Sequence, residues 1–84
     1  MNLTILYFAS LRESLGMAKE AVVLPGDVDS VGALRQHLSA RGDAWQRLAP
    51  GHNVRAAVNQ QMAADEHALA AGDEVAFFPP VTGG

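Results

Sequence analysis

Residues 77–84 of the 84-residue chain read Phe-Phe-Pro-Pro-Val-Thr-Gly-Gly, and this segment separates a folded body from a tail. Phe77 and Phe78 are typical of a buried strand. Pro79 has no backbone N–H to give a sheet ladder, so we predict that the strand ends there. The pair Pro79 and Pro80 favours an extended, polyproline-like geometry that directs the chain away from the sheet.

The length and composition fit one small domain. We predict a folded domain over residues 1–78 and an extended tail over residues 79–84, which reaches about 20 Å at about 3.3 Å per residue. A hydrophobic content of 49% is enough to form a core. No apolar run approaches the roughly 20 residues of a membrane span, so we expect no membrane association.

The absence of cysteine excludes disulfides, zinc–thiolate sites and a cysteine nucleophile on this chain. It is compatible with the cytoplasm, and the N-terminal sequence lacks the basic region of a secretory signal, so we expect a cytoplasmic location. The net charge is −3 and Lys19 is the single lysine. Because a nucleic-acid binder normally has a basic face, we expect no nucleic-acid partner.

Apolar periodicity predicts one main helix and several strands. The helix is expected to begin at Ser30, as its N-cap, and to run to about Arg41, with Arg35 facing away from the core. Its core-facing stripe has i, i+3, i+7 spacing and consists of Val31, Leu34 and Leu38. The strands are predicted over residues 3–8, 21–24, 54–59, 62–63 and 74–78.

Shorter elements are predicted from their end signals. Ser10 and Glu13 have the spacing of a capping box, with Ser10 as the N-cap of a short helix. Gly16 is a natural stop for that helix. Asp43 is predicted to cap a further turn. The order β, short α, β, α, β, β, β indicates an α+β fold, with one main helix across one face of a sheet. The first and last strands are the most hydrophobic, so we expect them at its centre.

Conventional catalytic groupings are nearly absent. His37, His52 and His67 lie fifteen residues apart, a spacing that matches no metal site, so we predict none. The adjacent acidic pairs flank turns and are interpreted as solvated carboxylates. The serines lie in no nucleophile-elbow motif, and phosphate-binding glycine loops are missing.

The remaining candidate for chemistry is the carboxylate of Gly84. Joining a carboxylate to AMP gives a mixed anhydride, and sulfur can then displace AMP to leave a thiocarboxylate. Terminal glycine keeps the carbonyl unobstructed and lets the backbone pass through a narrow channel. We predict that Gly84 is the reactive position and that the rest of the tail leads it into a partner's active site. These tail residues are Pro80, Val81, Thr82 and Gly83.

Strand parity also predicts a docking surface. If Leu3, Ile5 and Tyr7 face the helix, the alternate residues of the first strand face the other way. Phe8, Leu6 and Phe78 are then expected to form an apolar surface beside the tail, as in protein–protein sites. The alternative is that residues 60–72 cover this face internally.

The whole chain resembles the small subunits of molybdopterin synthase, the MoaD family of ubiquitin-like sulfur carriers. Gly83 and Gly84 alone would not separate this family from other ubiquitin-like carriers, whereas the longer C-terminal block is specific. Departures are mild, with Gly32 in place of a better helix former and Ala68 where a loop proline is common. The matching segments, in this numbering, are residues 8–9, 11–13, 31, 33–37, 56–60 and 72–84.

The resemblance implies a β-grasp fold with its first and last strands parallel. It also implies a non-catalytic, sulfur-donating subunit that binds no cofactor tightly. An adenylyltransferase similar to ubiquitin-activating enzymes would use ATP to adenylate Gly84, and a sulfur-transfer system would convert it to a C-terminal 1-thioglycine. The large synthase subunit, in a heterotetramer with two copies of each subunit, would use this sulfur to build the molybdopterin dithiolene from cyclic pyranopterin monophosphate.

Three other functions remain open at the level of sequence. The same tail chemistry would serve a sulfur carrier for thiazole or another pathway. A protein modifier joined to lysines of its targets would also need a free C-terminal glycine. The third alternative is a plain interaction domain whose tail is inert.

Overall fold

Five strands form one mixed sheet in the computed structural model, which describes residues 1–80. Their spatial order is β2-β1-β5-β3-β4. β1 pairs parallel with β5, and the other pairs are antiparallel. The predicted α+β class and the central position of the first and last strands are confirmed. The strands are β1 (Asn2–Tyr7), β2 (Lys19–Val23), β3 (Arg55–Val58), β4 (Gln61–Ala63) and β5 (Glu74–Phe78).

Alternation in β1 and β5 builds the centre of the core. Ile5 and Tyr7 are 0% and 1% exposed, and each lies beside a fully buried partner on β5, Val75 and Phe77 respectively. Because side chains alternate across a strand, these residues all point to one face of the sheet. Removing each from water contributes about 1.5–3 kcal/mol, so this layer is a major source of stability.

The helical elements are α1 (Ala9–Leu15), α2 (Val31–Ser39) and a 3₁₀ helix (Asp43–Leu48). α2 lies across the buried face of the sheet with Val31, Leu34 and Leu38 fully buried, as predicted. The N-cap is also confirmed, since the Ala33 N–H donates to the Ser30 hydroxyl oxygen at 3.1 Å. The helix ends at Ser39, two residues before the predicted end.

Two predicted caps are wrong. α1 begins at Ala9 because the carbonyl of Phe8 accepts from the N–H groups of Leu11 and Arg12, and Ser10 therefore lies inside the helix. The 3₁₀ helix likewise starts at Asp43 itself, after Gly42, and has no side-chain cap. The predicted stop of α1 at Gly16 is confirmed, since this residue adopts φ 73° and its N–H donates to the carbonyl of Arg12.

Arg35 was expected to face away from the core, and this is wrong. It is 6% exposed, because its position at the border of the apolar stripe points it toward the chain between the 3₁₀ helix and β3. The carbonyl groups of that chain receive its donors, so the buried charge is satisfied.

Within residues 60–72, the part that follows β4 packs beside the start of α2 on the helix side of the sheet. The N–H of Val31 donates to the carbonyl of His67, and that of Gly32 donates to the carbonyl of Asp65 at 2.9 Å. A Cβ on Gly32 would lie only 3.1 Å from the Asp65 Cβ, so glycine permits this close approach. Leu69 enters the core, as expected. The alternative in which this segment covers the opposite face is therefore wrong.

Candidate functional site

The tail leaves the sheet from its middle. β5 ends at Phe78, directly before Pro79, and lies between β1 and β3. Because β1 and β5 are parallel, both strands end at the same edge of the sheet. There the N–H of Phe8 donates to the carbonyl of Phe77 at 3.1 Å, which extends the ladder to the last strand residues. The chain thus leaves a buried, well-tied strand rather than a frayed edge.

A groove of about 300 Å³ lies beside the start of the tail. Pro79 and Pro80 form one side of it, and both are half-buried. The other side is the end of the 3₁₀ helix and the chain leading into β3, namely Arg47, His52, Asn53 and Val54. The two prolines are therefore seated against the body before the tail continues. We refer to this feature as the exit groove.

Arg47 also ties the exit groove to α1. Its guanidinium donates to the hydroxyl oxygens of Ser10 at 3.2 Å and Ser14 at 3.3 Å. These bonds are exposed and individually weak. They explain why Ser10 is turned outward, toward the 3₁₀ helix, rather than serving as a cap.

The predicted tail residues divide at the limit of the structure. Pro80 lies in the exit groove, as described above. The remaining four lie outside the residues that the structure describes, so the predicted reactive end is not part of the described geometry. They are Val81, Thr82, Gly83 and Gly84.

The three predicted docking residues lie together on the face of the sheet opposite α2. Phe8 is 46% exposed, and Leu6 and Phe78 are half-buried. Leu6 lies beside Ala76 in the parallel pair, and Phe78 follows two residues later on the same face. The structure therefore brings these three residues to one side of the tail exit.

Strand register extends this apolar area in one row across the sheet. The row runs from β1 through β5 and β3 to β4. Leu6 pairs with Ala76, Ala76 pairs with Ala57, and Ala57 pairs with Met62. The Met62 side chain is 59% exposed. We define the open-face patch as Leu6, Phe8, Ala57, Met62, Ala76 and Phe78. Ala57, at 9% exposed, is the buried middle of this row, and the other five side chains are exposed or half-buried. Exposed apolar side chains that cluster in this way are typical of protein-binding surfaces.

Sequence reasoning missed part of this surface. Ala56 and Val58 face the core, so alternation along β3 already implied that Ala57 faces the other way. The sequence could therefore have indicated this member of the patch. Two exposed cations border the patch: Lys19 is the register partner of Leu6, and Arg55 that of Phe78. Their positions follow from strand pairing, which the sequence alone does not fix.

Two side chains with shifted pKa values have structural roles. Burial and the hydrogen bond from the Tyr7 hydroxyl to Glu20 Oε1, at 2.6 Å, raise the pKa of Tyr7 above its ordinary range. The Ala70 N–H and the Asn59 side-chain amide donate to Asp73 and lower the pKa of its carboxyl. Neither Tyr7 nor Asp73 lines the exit groove.

Two other features, a metal-binding cluster and a membrane-spanning helix, are absent from the part of the chain that the structure describes. Residues 1–80 contain no group of three or more His, Asp or Glu side chains placed to hold a metal ion. No helix within the same residues is long and apolar enough to cross a bilayer.

Comparisons with known proteins agree on one kind of relative. The model of the ThiS family matches residues 5–84. The chain is 46% identical over 80 residues to the molybdopterin synthase sulfur carrier subunit of Escherichia coli (strain K12), covering 95% of this chain and 96% of the relative. It is 42% identical over 82 residues to the protein of that name in Haemophilus influenzae, covering 98% and 99%.

A solved structure supports the same fold. The crystal structure of small archaeal modifier protein 1 from H. volcanii matches with a TM-score of 0.78 and 31% identity, covering 95% of this chain and 98% of that one. The parallel central pair β1–β5, with α2 across one face, is the β-grasp arrangement that the resemblance implied. That prediction of fold is confirmed.

Proposed function

Because the chain belongs to the ThiS family, we propose that it is the sulfur carrier subunit of a molybdopterin synthase, with Gly84 as the site that carries the sulfur. The observation that supports this proposal most directly is the position of the tail. The chain leaves the centre of the sheet at Pro79, beside an exposed apolar patch. A body built in this way docks through one surface and delivers its C-terminal segment next to it.

The chemistry resides on the chain's own carboxylate. An adenylyltransferase partner uses ATP to join Gly84 to AMP, with release of pyrophosphate. A sulfur-transfer system then displaces AMP and leaves the thiocarboxylate, or 1-thioglycine. Each thiocarboxylate donates one sulfur to cyclic pyranopterin monophosphate and returns to the carboxylate on hydrolysis, so two loaded chains supply the two sulfur atoms of the dithiolene. The pterin-binding residues are assigned to the large subunit, and this chain contributes the acyl end.

The open-face patch is the proposed docking surface for both the activating enzyme and the large synthase subunit. Its apolar centre excludes water from an interface, and the bordering Lys19 and Arg55 favour partners with acidic rims. Successive use of one surface by two partners requires that each complex dissociates. The heterotetramer and the cytoplasmic location stay predictions, to be checked by mass of the assembled complex and by cell fractionation.

Trimming the tail tests the proposal. A chain that lacks Gly83 and Gly84 retains all of residues 1–80, so we expect its thermal unfolding to match that of the full chain. It should form no thiocarboxylate and support no dithiolene synthesis with the large subunit. A second variant has one alanine added after Gly84, which keeps both glycines but moves the carboxylate. It should likewise form no thiocarboxylate. Normal dithiolene formation by either variant would contradict the proposal.

Protein modification is the second candidate function, favoured by the likeness to small archaeal modifier protein 1. The activated Gly84 would then acylate lysines of target proteins. Lys19 is the single lysine of the chain and is exposed on β2, so lysine-linked chains of this modifier would grow only there. Isopeptide-linked adducts in cell extracts would support this function over sulfur transfer, and they would be identified as target lysines that carry residues 56–84 after tryptic digestion, since Arg55 is the last tryptic site of the chain.

A further inference from the structure

Arg35 is the buried charged residue of the part of the chain that the structure describes, with 6% of its surface exposed. It lies on α2 and points toward the chain between the 3₁₀ helix and β3. A buried guanidinium is costly unless all its donors are paired. Its partners therefore indicate what this buried charge holds in place.

Four hydrogen bonds occupy the guanidinium. Nε donates to the carbonyl of Leu48 at 2.8 Å, and Nη2 donates to the carbonyls of Ala49 at 3.0 Å and His52 at 3.1 Å. Nη1 forms an ion pair with Asp65 at 3.2 Å. Three of the four acceptors are thus backbone oxygens within residues 48–52. Only the planar fork of arginine has the donor geometry for such a set.

The segment held by Arg35 leads into one side of the exit groove and meets it at His52. His52, whose carbonyl accepts from Nη2, lines the groove together with Asn53 and Val54. Pro79 and Pro80 lie on the opposite side. Leu48 is the last residue of the 3₁₀ helix, and residues 49–54 link that helix to β3 through a turn at Gly51, whose φ is positive at 91°. The guanidinium thus holds in place a segment that no helix or sheet ladder fixes.

We propose that Arg35 is a positioning residue for the tail: by holding the carbonyls of residues 48–52, it sets the shape of the exit groove and so the direction in which Pro79 and Pro80 send the chain. The inference rests on the proposed function for its purpose, which is accurate delivery of Gly84. Within residues 1–80, the hydrogen bonds of Arg35 go to Leu48, Ala49, His52 and Asp65 and none goes to Pro79 or Pro80, so it acts through the backbone of its neighbours. A 1 Å misplacement of a reacting group is enough to slow a reaction by up to about a hundredfold.

The test uses the full-length chain with Arg35→Met, which keeps an apolar stem but removes every donor. Leu38→Ala is the control for lost stability, since Leu38 lies on the same helix, is fully buried and does not line the groove. Asp65→Asn is the control for the ion pair, since it leaves the three carbonyl bonds to residues 48–52 in place. All measurements are made at a temperature at which each variant is shown by circular dichroism to be folded.

The first readout is structural and independent of sulfur transfer. Nuclear Overhauser contacts between the ring protons of Pro79 or Pro80 and the methyl groups of Val54 report whether the tail is seated. We expect these contacts in the wild type and in both controls, and their loss in Arg35→Met. Their persistence in folded Arg35→Met, or their equal loss in Leu38→Ala, would overturn the inference.

The second readout is the rate of thiocarboxylate formation with the activating enzyme. Since Arg35 lies on the helix side and the open-face patch on the other, Arg35→Met should lower kcat about tenfold and leave KM for the carrier within about twofold. An unchanged kcat in Arg35→Met, with an active wild type, would refute the positioning role alone. A wild type that forms no thiocarboxylate would instead refute the proposed function.

Discussion

Replacing Phe8 by alanine removes the most exposed aromatic ring of the open-face patch. The side chain is 46% exposed in the free protein. A phenylalanine has about 200 Å² to bury, so about 90 Å² remains available to a partner. At about 25 cal/mol per Å², full burial of that area contributes about 2 kcal/mol to binding. Phe8→Ala should therefore raise the Kd for the large synthase subunit about thirtyfold.

Isothermal titration calorimetry with the purified large subunit measures this change. The fold should be unaffected, because Phe8 starts α1 through its backbone carbonyl, which alanine retains. Val23→Ala is the matched control: this side chain is 81% exposed on β2 but lies at the opposite end of the sheet, beside Asn2. A Kd for Phe8→Ala within twofold of wild type, or an equal loss in Val23→Ala, would refute the docking surface.

Two further predictions concern the stability of the body. Asp73→Asn should lower the free energy of unfolding at pH 7; since folding lowers the pKa of Asp73, its contribution is present above the ordinary carboxyl pKa and disappears as pH falls through the folded value. Urea unfolding at pH 7 and pH 3 checks this, and a difference from wild type that is unchanged at pH 3 would contradict it. Tyr7→Phe should cost about 0.5–1.5 kcal/mol through loss of the bond to Glu20. Because folding raises the pKa of Tyr7, this contribution to stability is fully present below the ordinary tyrosine pKa and falls as the pH rises above it. Urea unfolding at pH 7 measures the effect, and equal midpoints for Tyr7→Phe and wild type would contradict the prediction.

Local sequence signals predicted the elements whose causes are themselves local. Ser30 caps α2 because its hydroxyl lies three residues from the N–H of Ala33, and the high hydrophobicity of β1 and β5 placed these strands at the centre. The exposed sides of β1 and β5, and so Leu6 and Phe78, followed from the same parity.

Features that depend on distant parts of the chain were missed. Arg35 lies four residues after Val31, so the helical period was a sign of its core-facing side. The carbonyl groups of residues 48–52 that accept its donors are distant in sequence, and nothing local indicated them. Met62 and Lys19 join the row of Leu6 only through the register of four strand pairs. The capping box at Ser10 had the correct spacing, but the N-cap of α1 is Phe8, two residues earlier, whose carbonyl accepts the first N–H groups of the helix.

The central claim is that the folded body delivers its own C-terminal carboxylate for sulfur loading, and intact mass spectrometry tests it most directly. The full-length chain is incubated with the activating adenylyltransferase, ATP and a sulfur source, and the C-terminal peptide is then sequenced by fragmentation. We predict a mass change equal to the exchange of one oxygen for sulfur, located on Gly84. An unchanged mass under conditions that load the Escherichia coli relative, or sulfur located on any other residue, would contradict the account.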